Sequence, residues 1–244
     1  MGRRTADAVI LCGGLGTRLR EVLPDQQKTM ADISERPFLE ILVRQLKKYG
    51  FTRIIFCTGY KGESVREYFE SKNDGGLLFF FSQEKTPLGT AGALKVCEPY
   101  LEASTFLMMN GDSFCPVDLE ALVSFQNRHG GIGTVAVTPA LSRADGGYMN
   151  VGSDNLVLSF GEKEYSPLKY LNAGIYVFQK KIFDFIPKTM PCSLEKDVFP
   201  SILSKNFYAY PTREMLYDIG TPERLAHFKQ MVSSEDFLKY EINT

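Results

Sequence analysis

The first 140 residues alternate short apolar runs with segments of helical period, and this alternation constrains the fold more than any other feature. Short apolar runs bounded by turn residues predict buried strands, and apolar residues three and four positions apart predict helices. We predict strands at Ala8–Leu11, Arg53–Thr58, Leu77–Phe81, Thr105–Met109 and Thr134–Thr138. We predict helices at Pro37–Tyr49, Glu63–Ser71, Thr90–Val96 and Asp118–Arg128, the last capped by Asp118. A βαβα order of this kind is typical of a doubly wound sheet.

After about residue 140 the apolar runs become shorter and lie closer together. We predict strands at Met149–Gly152, Leu156–Phe160, Leu171–Phe178, around Tyr208 and at Met215–Asp218, a helix near Lys180–Phe185, a packed segment at Leu194–Leu203, and a last helix from Pro222. We interpret residues 1–244 as a single domain, with one half at about 1–140 and the other at about 141–244. The expected fold class is α/β, a Rossmann-like mixed sheet in a three-layer α/β/α arrangement.

Net charge, cysteine spacing and the length of the apolar runs limit which partners and which cellular compartment are expected for this protein. The 28 basic and 29 acidic residues give a net charge of -1, which predicts no nucleic acid and no membrane as partners. The five cysteines are odd in number and never in C-x-x-C spacing, which argues against disulfides and a zinc ribbon. No apolar run approaches the roughly 18 residues of a spanning helix, and no signal-type segment follows the start. We therefore expect a cytoplasmic protein.

Three features follow predicted strands, where ligands of open α/β sheets bind. The loop Gly13–Arg18 is equally compatible with a tight turn and with a phosphate cradle, because glycines let backbone N–H groups approach an anion. Asp112 and Asp218 are compatible with capping residues and with a pair that holds one Mg²⁺. Glu162 and Lys163 are compatible with a solvated turn pair and with a binding site.

An ordered series of motifs resembles the sugar-1-phosphate nucleotidyltransferase family. The matching segments are Leu11–Leu19 (LCGGLGTRL), Lys28 with Met30, Pro87–Gly92 (PLGTAG), Asn110–Asp112 (NGD), Glu162–Lys163, Asn172–Tyr176 (NAGIY) and Asp218–Glu223 (DIGTPE). Within that family the first and third motifs resemble D-glycero-D-manno-heptose 1-phosphate guanylyltransferases and their mannose-1-phosphate relatives. The resemblance implies a GT-A-like fold whose first half binds the nucleotide and whose second half binds the sugar phosphate.

The resemblance also implies roles for individual residues. Nucleotide-binding residues would be Leu11, Gly13, Gly14, Gly16, Thr17, Arg18, Gln83, Glu84, Gly89, Thr90, Asn110 and Gly111. Sugar-phosphate-binding residues would be Gly147, Glu162, Lys163, Asn172 and Gly174. Catalytic residues would be Arg18, Lys28, Asp112 and Lys163, with Mg²⁺ held by Asp112 and Asp218. Glu84 is compatible with an acceptor for the N1–H and N2–H₂ groups of guanine and with an exposed loop charge.

The implied reaction joins an NTP, GTP in this interpretation, to a sugar-1-phosphate, D-glycero-D-manno-heptose 1-phosphate, and releases pyrophosphate. A sugar phosphate is already an anion, so the reaction needs charge neutralisation rather than an activated nucleophile. The alternatives are a mannose-1-phosphate guanylyltransferase, another hexose-1-phosphate nucleotidyltransferase, and a catalytically inactive regulatory subunit that binds a sugar nucleotide. A Rossmann oxidoreductase is disfavoured by the glycine spacing, and a homo-oligomer is left open.

Two departures from the family pattern stand out. The family usually has proline on both sides of the lysine, whereas this chain has Gln27-Lys28-Thr29, so we expect a less rigid loop there. The family's Tyr-Gly element is altered to Gly146-Gly147-Tyr148-Met149, which leaves the sugar-contacting glycine open between the first two of these residues.

Overall fold

A computed structural model describes residues 7–14, 16–19, 22–24, 26–72, 75–140, 147–161, 169–234 and 237. The strands are β1 (Asp7–Leu11), β2 (Asp32–Ile33), β3 (Arg36–Pro37), β4 (Arg53–Thr58), β5 (Leu78–Gln83), β6 (Thr105–Asn110), β7 (Ser113–Phe114), β8 (Gly133–Pro139), β9 (Tyr148–Val151), β10 (Val157–Gly161), β11 (Lys169–Gln179), β12 (Phe207–Pro211) and β13 (Tyr217–Asp218). The helices are α1 (Phe38–Lys48), α2 (Gly62–Glu70), α3 (Gly89–Cys97), α4 (Leu119–His129), α5 (Phe199–Ile202) and α6 (Pro222–Val232).

One mixed sheet contains nine strands of the described chain. Its main order is β10-β9-β11-β6-β1-β4-β5, and β8 lies beside β11 with β12 beside β8. Strands β6, β1, β4 and β5 are parallel, whereas β11 runs antiparallel to β6, β8 and β9. Strands from both halves of the sequence therefore belong to the same sheet, as the sequence predicts.

Alternate residues of the strands point into two apolar cores on opposite faces of the sheet. In β1, Ala8 and Ile10 pack into one core and Val9 packs into the other, as the two-residue period of a strand requires. Helices α1, α2, α4 and α6 cover the first core, and α3 and α5 cover the second. The three-layer α/β/α arrangement predicted from the sequence is confirmed.

The predicted strands and helices are present with ends within two residues of expectation, but two local features differ. The segment Lys180–Phe185 forms 3₁₀ turns rather than an α-helix. Only six residues separate β11 from Ile186 and Pro187, and this tighter coil buries Ile182 and Phe183. The short hairpin β2–β3 was not predicted, because two-residue strands have no periodicity to detect. Among the described residues, no helix is both long and apolar enough to cross a bilayer.

Asp118 caps α4 as predicted, since its carboxylate accepts a hydrogen bond of 2.9 Å from the backbone N–H of Ala121. We expect Asp118→Ala to lower the free energy of unfolding by about 1 kcal/mol, because that N–H loses its partner. Asp118→Asn retains an acceptor in the same place and is expected to keep wild-type stability. Urea unfolding of the two variants measures the difference, and an alanine variant as stable as wild type would contradict a stabilising cap.

Candidate active site

A cleft of about 300 Å³ opens at the carboxyl ends of the parallel strands. Its walls come from the end of β1, the turn after residue 27, the loop after β5, the start of α3 and the end of β6. The lining residues are Leu11, Cys12, Gly13, Gly14, Gly16, Lys28, Thr29, Glu84, Pro87, Gly89, Thr90, Ala93, Asn110 and Asp112. This is the edge of the sheet at which ligands of open α/β folds bind.

The glycine-rich loop starts from a fixed point at the end of β1. The backbone N–H of Cys12 donates to the carbonyl of Cys57 in β4 over 2.9 Å, and Gly111 N–H donates to the carbonyl of Leu11 over 2.8 Å. Gly16 then adopts a φ of +59°, a conformation that favours glycine. Three glycines of the loop, Gly13, Gly14 and Gly16, line the cleft.

Lys28 and Asp112 form an ion pair inside the cleft. The Lys28 ammonium lies 2.6 Å from a carboxylate oxygen of Asp112. The lysine side chain is 13% exposed and the aspartate side chain 43% exposed, so the lysine is held in the wall while the carboxylate faces the opening. Two residues that lie 84 positions apart in the sequence are thus placed in direct contact.

Asp218 is brought beside Asp112 by a short antiparallel strand pair. Residue 218 in β13 pairs with Ser113 in β7, and the N–H of Ile219 donates to the backbone carbonyl of Asp112 over 3.0 Å. One carboxylate oxygen of Asp218 accepts from Gly220 N–H at 2.8 Å and from Arg224 at 3.3 Å. The main chains of the two predicted metal ligands therefore run side by side.

Arg18 lies close to the same segment. A guanidinium nitrogen of Arg18 is 3.9 Å from the position that a Cβ atom would take at Gly220. The positive charge of Arg18 therefore lies close to the segment that carries Asp218. In the described part of the chain, no group of three or more histidine, cysteine, aspartate and glutamate side chains could hold a metal ion by itself.

Gln83 ends β5 and Glu84 directly follows it, but their side chains lie in different surroundings. Glu84 lines the cleft, and one of its carboxylate oxygens accepts from Leu88 N–H over 3.0 Å. Burial raises the pKa of this carboxyl above its ordinary value. Gln83 is exposed and its amide donates to Glu63 over 2.8 Å, away from the residues that line the cleft. Of the two predicted base contacts, the structure brings Glu84 to the cleft.

The start of α3 is bonded to the C-terminal half of the chain. Thr90 Oγ1 accepts from Leu194 N–H over 2.8 Å, and the carbonyl of Cys192 accepts from Ala91 N–H over 3.0 Å. N–H groups in the first turn of a helix have no partner within the helix, and the second of these contacts supplies one. The cleft wall that carries the PLGTAG motif is thereby fixed to a segment of the other half.

Asn172 and Gly174 form an irregularity in β11 next to the cleft. The strand register shifts between Asn172 and Tyr176, and Gly174 has a φ of +71°. The Asn172 side chain donates to Tyr176 Oη over 2.6 Å and accepts from Gly174 N–H over 2.9 Å. A Cβ atom at residue 174 would lie 2.9 Å from the side chain of Asn110, so this irregularity contacts the end of β6.

The cleft contains most of the predicted nucleotide-binding residues. Outside its lining lie Thr17, Arg18, Gln83 and Gly111, together with Gly147, Asn172, Gly174 and Asp218. The carbonyl of Gly147 accepts from Asn172 N–H over 2.9 Å, so these two residues predicted to bind the sugar phosphate lie in contact. Glu162, Lys163 and Gly146 lie outside the described residues. The sequence analysis missed Cys12, Thr29, Pro87 and Ala93, although Cys12 and Thr29 adjoin predicted residues, Pro87 begins the PLGTAG motif and Ala93 lies one turn along α3.

Comparison with known proteins identifies the family. Residues 7–235 match the family model described as nucleotidyl transferase. The chain belongs to the nucleotidyl transferase family. This nucleotidyl transferase is 36% identical over 231 residues to the D-glycero-alpha-D-manno-heptose 1-phosphate guanylyltransferase of Campylobacter jejuni, covering 91% of this chain and 97% of the relative. It is 33% identical over 222 residues to the mannose-1-phosphate guanylyltransferase catalytic subunit beta of Drosophila pseudoobscura pseudoobscura, covering 88% of this chain and 59% of the relative.

A solved structure agrees with these relatives. The nucleotidyl transferase resembles the crystal structure of HddC from Yersinia pseudotuberculosis complexed with GMP-PN, with a TM-score of 0.82 and 32% sequence identity over 93% of this chain and 100% of that chain. The family resemblance, the fold class and the enzyme class predicted from the sequence are confirmed.

Proposed function

We propose that this nucleotidyl transferase joins GTP to D-glycero-D-manno-heptose 1-phosphate, giving a nucleotide sugar and pyrophosphate. The observation that carries the proposal is the cleft at the strand ends, where a glycine-rich loop, the Lys28 ammonium and Asp112 meet, with the Asp218 segment paired to the residues that follow Asp112. Such an arrangement suits the transfer of a charged nucleotidyl group, which requires positioning and charge neutralisation. The choice of guanine and heptose is supported by the identity to the Campylobacter jejuni relative over nearly the full length of both chains.

The phosphate groups are assigned to the positive side of the cleft. In this proposal the N–H groups of the glycine-rich loop and Arg18 bind the pyrophosphate that leaves. Lys28 approaches the α-phosphate, and Lys163 neutralises the phosphate of the sugar. Lys28 lines the cleft, and Arg18 belongs to the glycine-rich loop, whose three glycines line the same cleft. The stabilising effect of the Lys28 and Arg18 charges would be greatest when negative charge accumulates on the transferring group in the transition state.

Asp112 and Asp218 are assigned to a Mg²⁺ ion. Two carboxylates on adjacent main-chain segments suit Mg²⁺, which takes few protein oxygens and completes its shell with phosphate and water. When bound, the ion would neutralise the charge of the phosphates. The contact between Lys28 and Asp112 implies that this lysine exchanges its carboxylate partner for a phosphate oxygen when substrate binds.

Direct displacement by the sugar phosphate fits the chemistry of the cleft better than a covalent intermediate. A covalent intermediate would need a nucleophilic side chain in the cleft, and the Cys12 thiol lines the cleft directly before the glycine-rich loop. Burial, and secondarily the Glu84 carboxylate, raises the pKa of the Cys12 thiol far above neutrality, so the thiol stays protonated. The phosphate oxygen of the sugar needs no such activation.

Guanine is assigned to the pocket beside Glu84. A carboxylate accepts from both N1–H and N2–H₂ of guanine, whereas adenine offers no N2 donor. We expect Glu84→Gln to reduce the preference for GTP over ATP, measured as a ratio of kcat/KM values, by about tenfold or more, since a hydrogen bond to a charged acceptor is weakened. Glu67→Gln, on the exposed face of α2, is the matched control and should leave the ratio unchanged.

The same residue predicts a pH dependence. Because burial raises the pKa of Glu84, protonation begins at a higher pH than for an exposed glutamate and removes the acceptor. The KM for GTP should therefore rise as the pH falls through this raised pKa, and Glu84→Gln should lack that rise. A wild-type preference for a pyrimidine nucleotide would overturn the guanine assignment, and a GTP preference unaltered in Glu84→Gln would remove Glu84 as its cause.

The sugar and the class of function need a direct test. Purified protein with Mg²⁺ is incubated with GTP, ATP, CTP, UTP or dTTP and with a panel of heptose and hexose 1-phosphates, and products are identified by mass spectrometry. We expect GDP-heptose as the main product. A preference for mannose 1-phosphate would favour the hexose alternative, which the Drosophila relative supports. Tight binding of a sugar nucleotide without turnover would favour an inactive regulatory subunit.

We further propose that the enzyme works in the cytoplasm and supplies an activated sugar for polysaccharide synthesis. All five cysteines are free and buried, which suits a reducing compartment. Light scattering of the purified protein measures whether it forms a homo-oligomer.

A further inference from the structure

Gln27 stands where the resembled family has a proline, and its surroundings show what this side chain does instead. The residue is 1% exposed, which is unusual for a glutamine. Its φ of -67° is the value that a proline ring would impose. The backbone conformation is therefore the one a proline would give, and what differs is the long amide side chain buried beneath the glycine-rich loop.

The amide of Gln27 is bonded to the residue directly before that loop. Gln27 Nε2 donates to the backbone carbonyl of Cys12. The N–H of Cys12 donates to the carbonyl of Cys57 over 2.9 Å, and the Cys12 thiol donates to the same carbonyl over 3.3 Å. Cys12 is thus held from β4 on one side and from Gln27 on the other, directly before the glycines begin.

The next residue contacts the far part of the same loop. The position that a Cβ atom would take at Gly16 is 3.1 Å from Lys28 Cβ, and the Lys28 ammonium reaches Asp112. The N–H of Met30 donates to the carbonyl of Gln27 over 2.9 Å and closes the turn. One short turn therefore contacts the residue before the glycine-rich loop and Gly16 within it, and also places the lysine.

We propose that Gln27 is a positioning residue for nucleotide binding: its side-chain amide fixes the start of the glycine-rich loop through the Cys12 carbonyl. The inference rests on the proposed function, because the loop is assigned to the phosphates of the nucleotide. Gln27 does not line the cleft, so it acts through the loop and not by contact with substrate. In the resembled family a rigid proline ring restrains this turn, whereas in this chain the hydrogen bond of the Gln27 amide restrains it.

The test replaces the amide by a side chain of similar length. In Gln27→Met the KM for GTP should rise about tenfold, the effect of one lost buried hydrogen bond, while kcat and the KM for the sugar phosphate stay within about threefold. Hydrogen exchange of the peptide covering residues 12–18 should become faster in the free protein. This second readout needs no turnover, so it decides the inference even if the proposed reaction is wrong.

Gln45 provides the matched control, because it is chemically the same kind of residue elsewhere in the fold. It is also 1% exposed, its amide donates to the carbonyl of Cys115 over 2.7 Å, and its Oε1, like that of Gln27, has no hydrogen-bond partner among the described residues. Gln45→Met should lose comparable stability and change neither the KM for GTP nor exchange in residues 12–18. An unchanged loop in Gln27→Met, or equal effects in the two variants, would overturn the proposal.

Discussion

Asp112→Asn should lower kcat by at least about 100-fold while the protein remains folded, because a neutral amide holds Mg²⁺ less tightly and the transferring phosphoryl group loses the ion that would neutralise its charge. The fold should persist because Asp112 contributes its backbone carbonyl, not its side chain, to the bond from Ile219. Asp218→Asn should lower kcat by a similar factor. This variant should also remain folded, since an asparagine oxygen can still accept from Gly220 and Arg224. Steady-state pyrophosphate release measures both variants, with circular dichroism to confirm folding.

The control for these variants is Asp118→Asn, which makes the same carboxylate-to-amide change at the cap of α4. It should keep wild-type turnover. Near wild-type turnover in Asp112→Asn or Asp218→Asn would remove that residue from the proposed metal site. Equal losses in all three variants would point to a general effect of lost negative charge.

Lys28→Met should lower kcat by about 100- to 1,000-fold, because an ammonium group at the α-phosphate stabilises charge that develops in the transition state. The ion pair also predicts that the same substitution increases the affinity of the free protein for a metal cation, although it lowers kcat. In the free protein the ammonium lies 2.6 Å from the Asp112 carboxylate, so a cation that binds there alone has to displace it. Removing the lysine should therefore strengthen the binding of Mn²⁺ alone by about two- to fivefold, as expected for a partly exposed ion pair.

Electron paramagnetic resonance of free Mn²⁺ measures that affinity without turnover. Lys95→Met is the matched control, because Lys95 also lies 2.7 Å from a carboxylate, that of Glu98, near the other end of α3. This variant should change neither kcat nor Mn²⁺ binding. Weaker Mn²⁺ binding in Lys28→Met would show that the lysine does not compete for the carboxylate.

The architecture could be predicted because apolar residues follow the two-residue period of a strand or the 3.6-residue period of a helix in the segments that form strands and helices. Strand residues such as Ala8, Val9 and Ile10 alternate between two cores, and the helices carry apolar residues at a spacing that covers those cores. The carboxyl ends of the parallel strands then place the glycine-rich loop and Asp112 at one edge. That much of the candidate site follows from local pattern and topology.

The contacts within the site could not be predicted in the same way. The sequence motifs suggest that Asp218 joins Asp112, but the cause is the pairing of β13, which lies within the predicted strand Met215–Asp218, with β7, a two-residue strand that has no detectable period. Gln83 and Glu84 are neighbours in a polar stretch, and their different surroundings depend on where β5 ends. The contact of Gln83 with a base stays a prediction.

The contacts of buried polar residues also could not be predicted from the sequence. Asp7 begins β1 and is completely buried, with its carboxylate bonded to Arg53 over 2.8 Å and to two backbone N–H groups of residues 102 and 103. A charged residue at a strand end is usually exposed, so nothing local predicts such a network. Gln27 was expected only to loosen its loop, whereas tertiary contact gives it a hydrogen bond to Cys12. Both cases depend on partners distant in sequence.

The most direct test of the proposed reaction is pyrophosphate release from GTP in the presence of Mg²⁺, with and without D-glycero-D-manno-heptose 1-phosphate. We expect one pyrophosphate for each GDP-heptose formed, none when the sugar phosphate is omitted, and a loss of at least about 100-fold in Asp112→Asn. If no pair of NTP and sugar-1-phosphate releases pyrophosphate above the level of Asp112→Asn, the protein is not the transferase proposed.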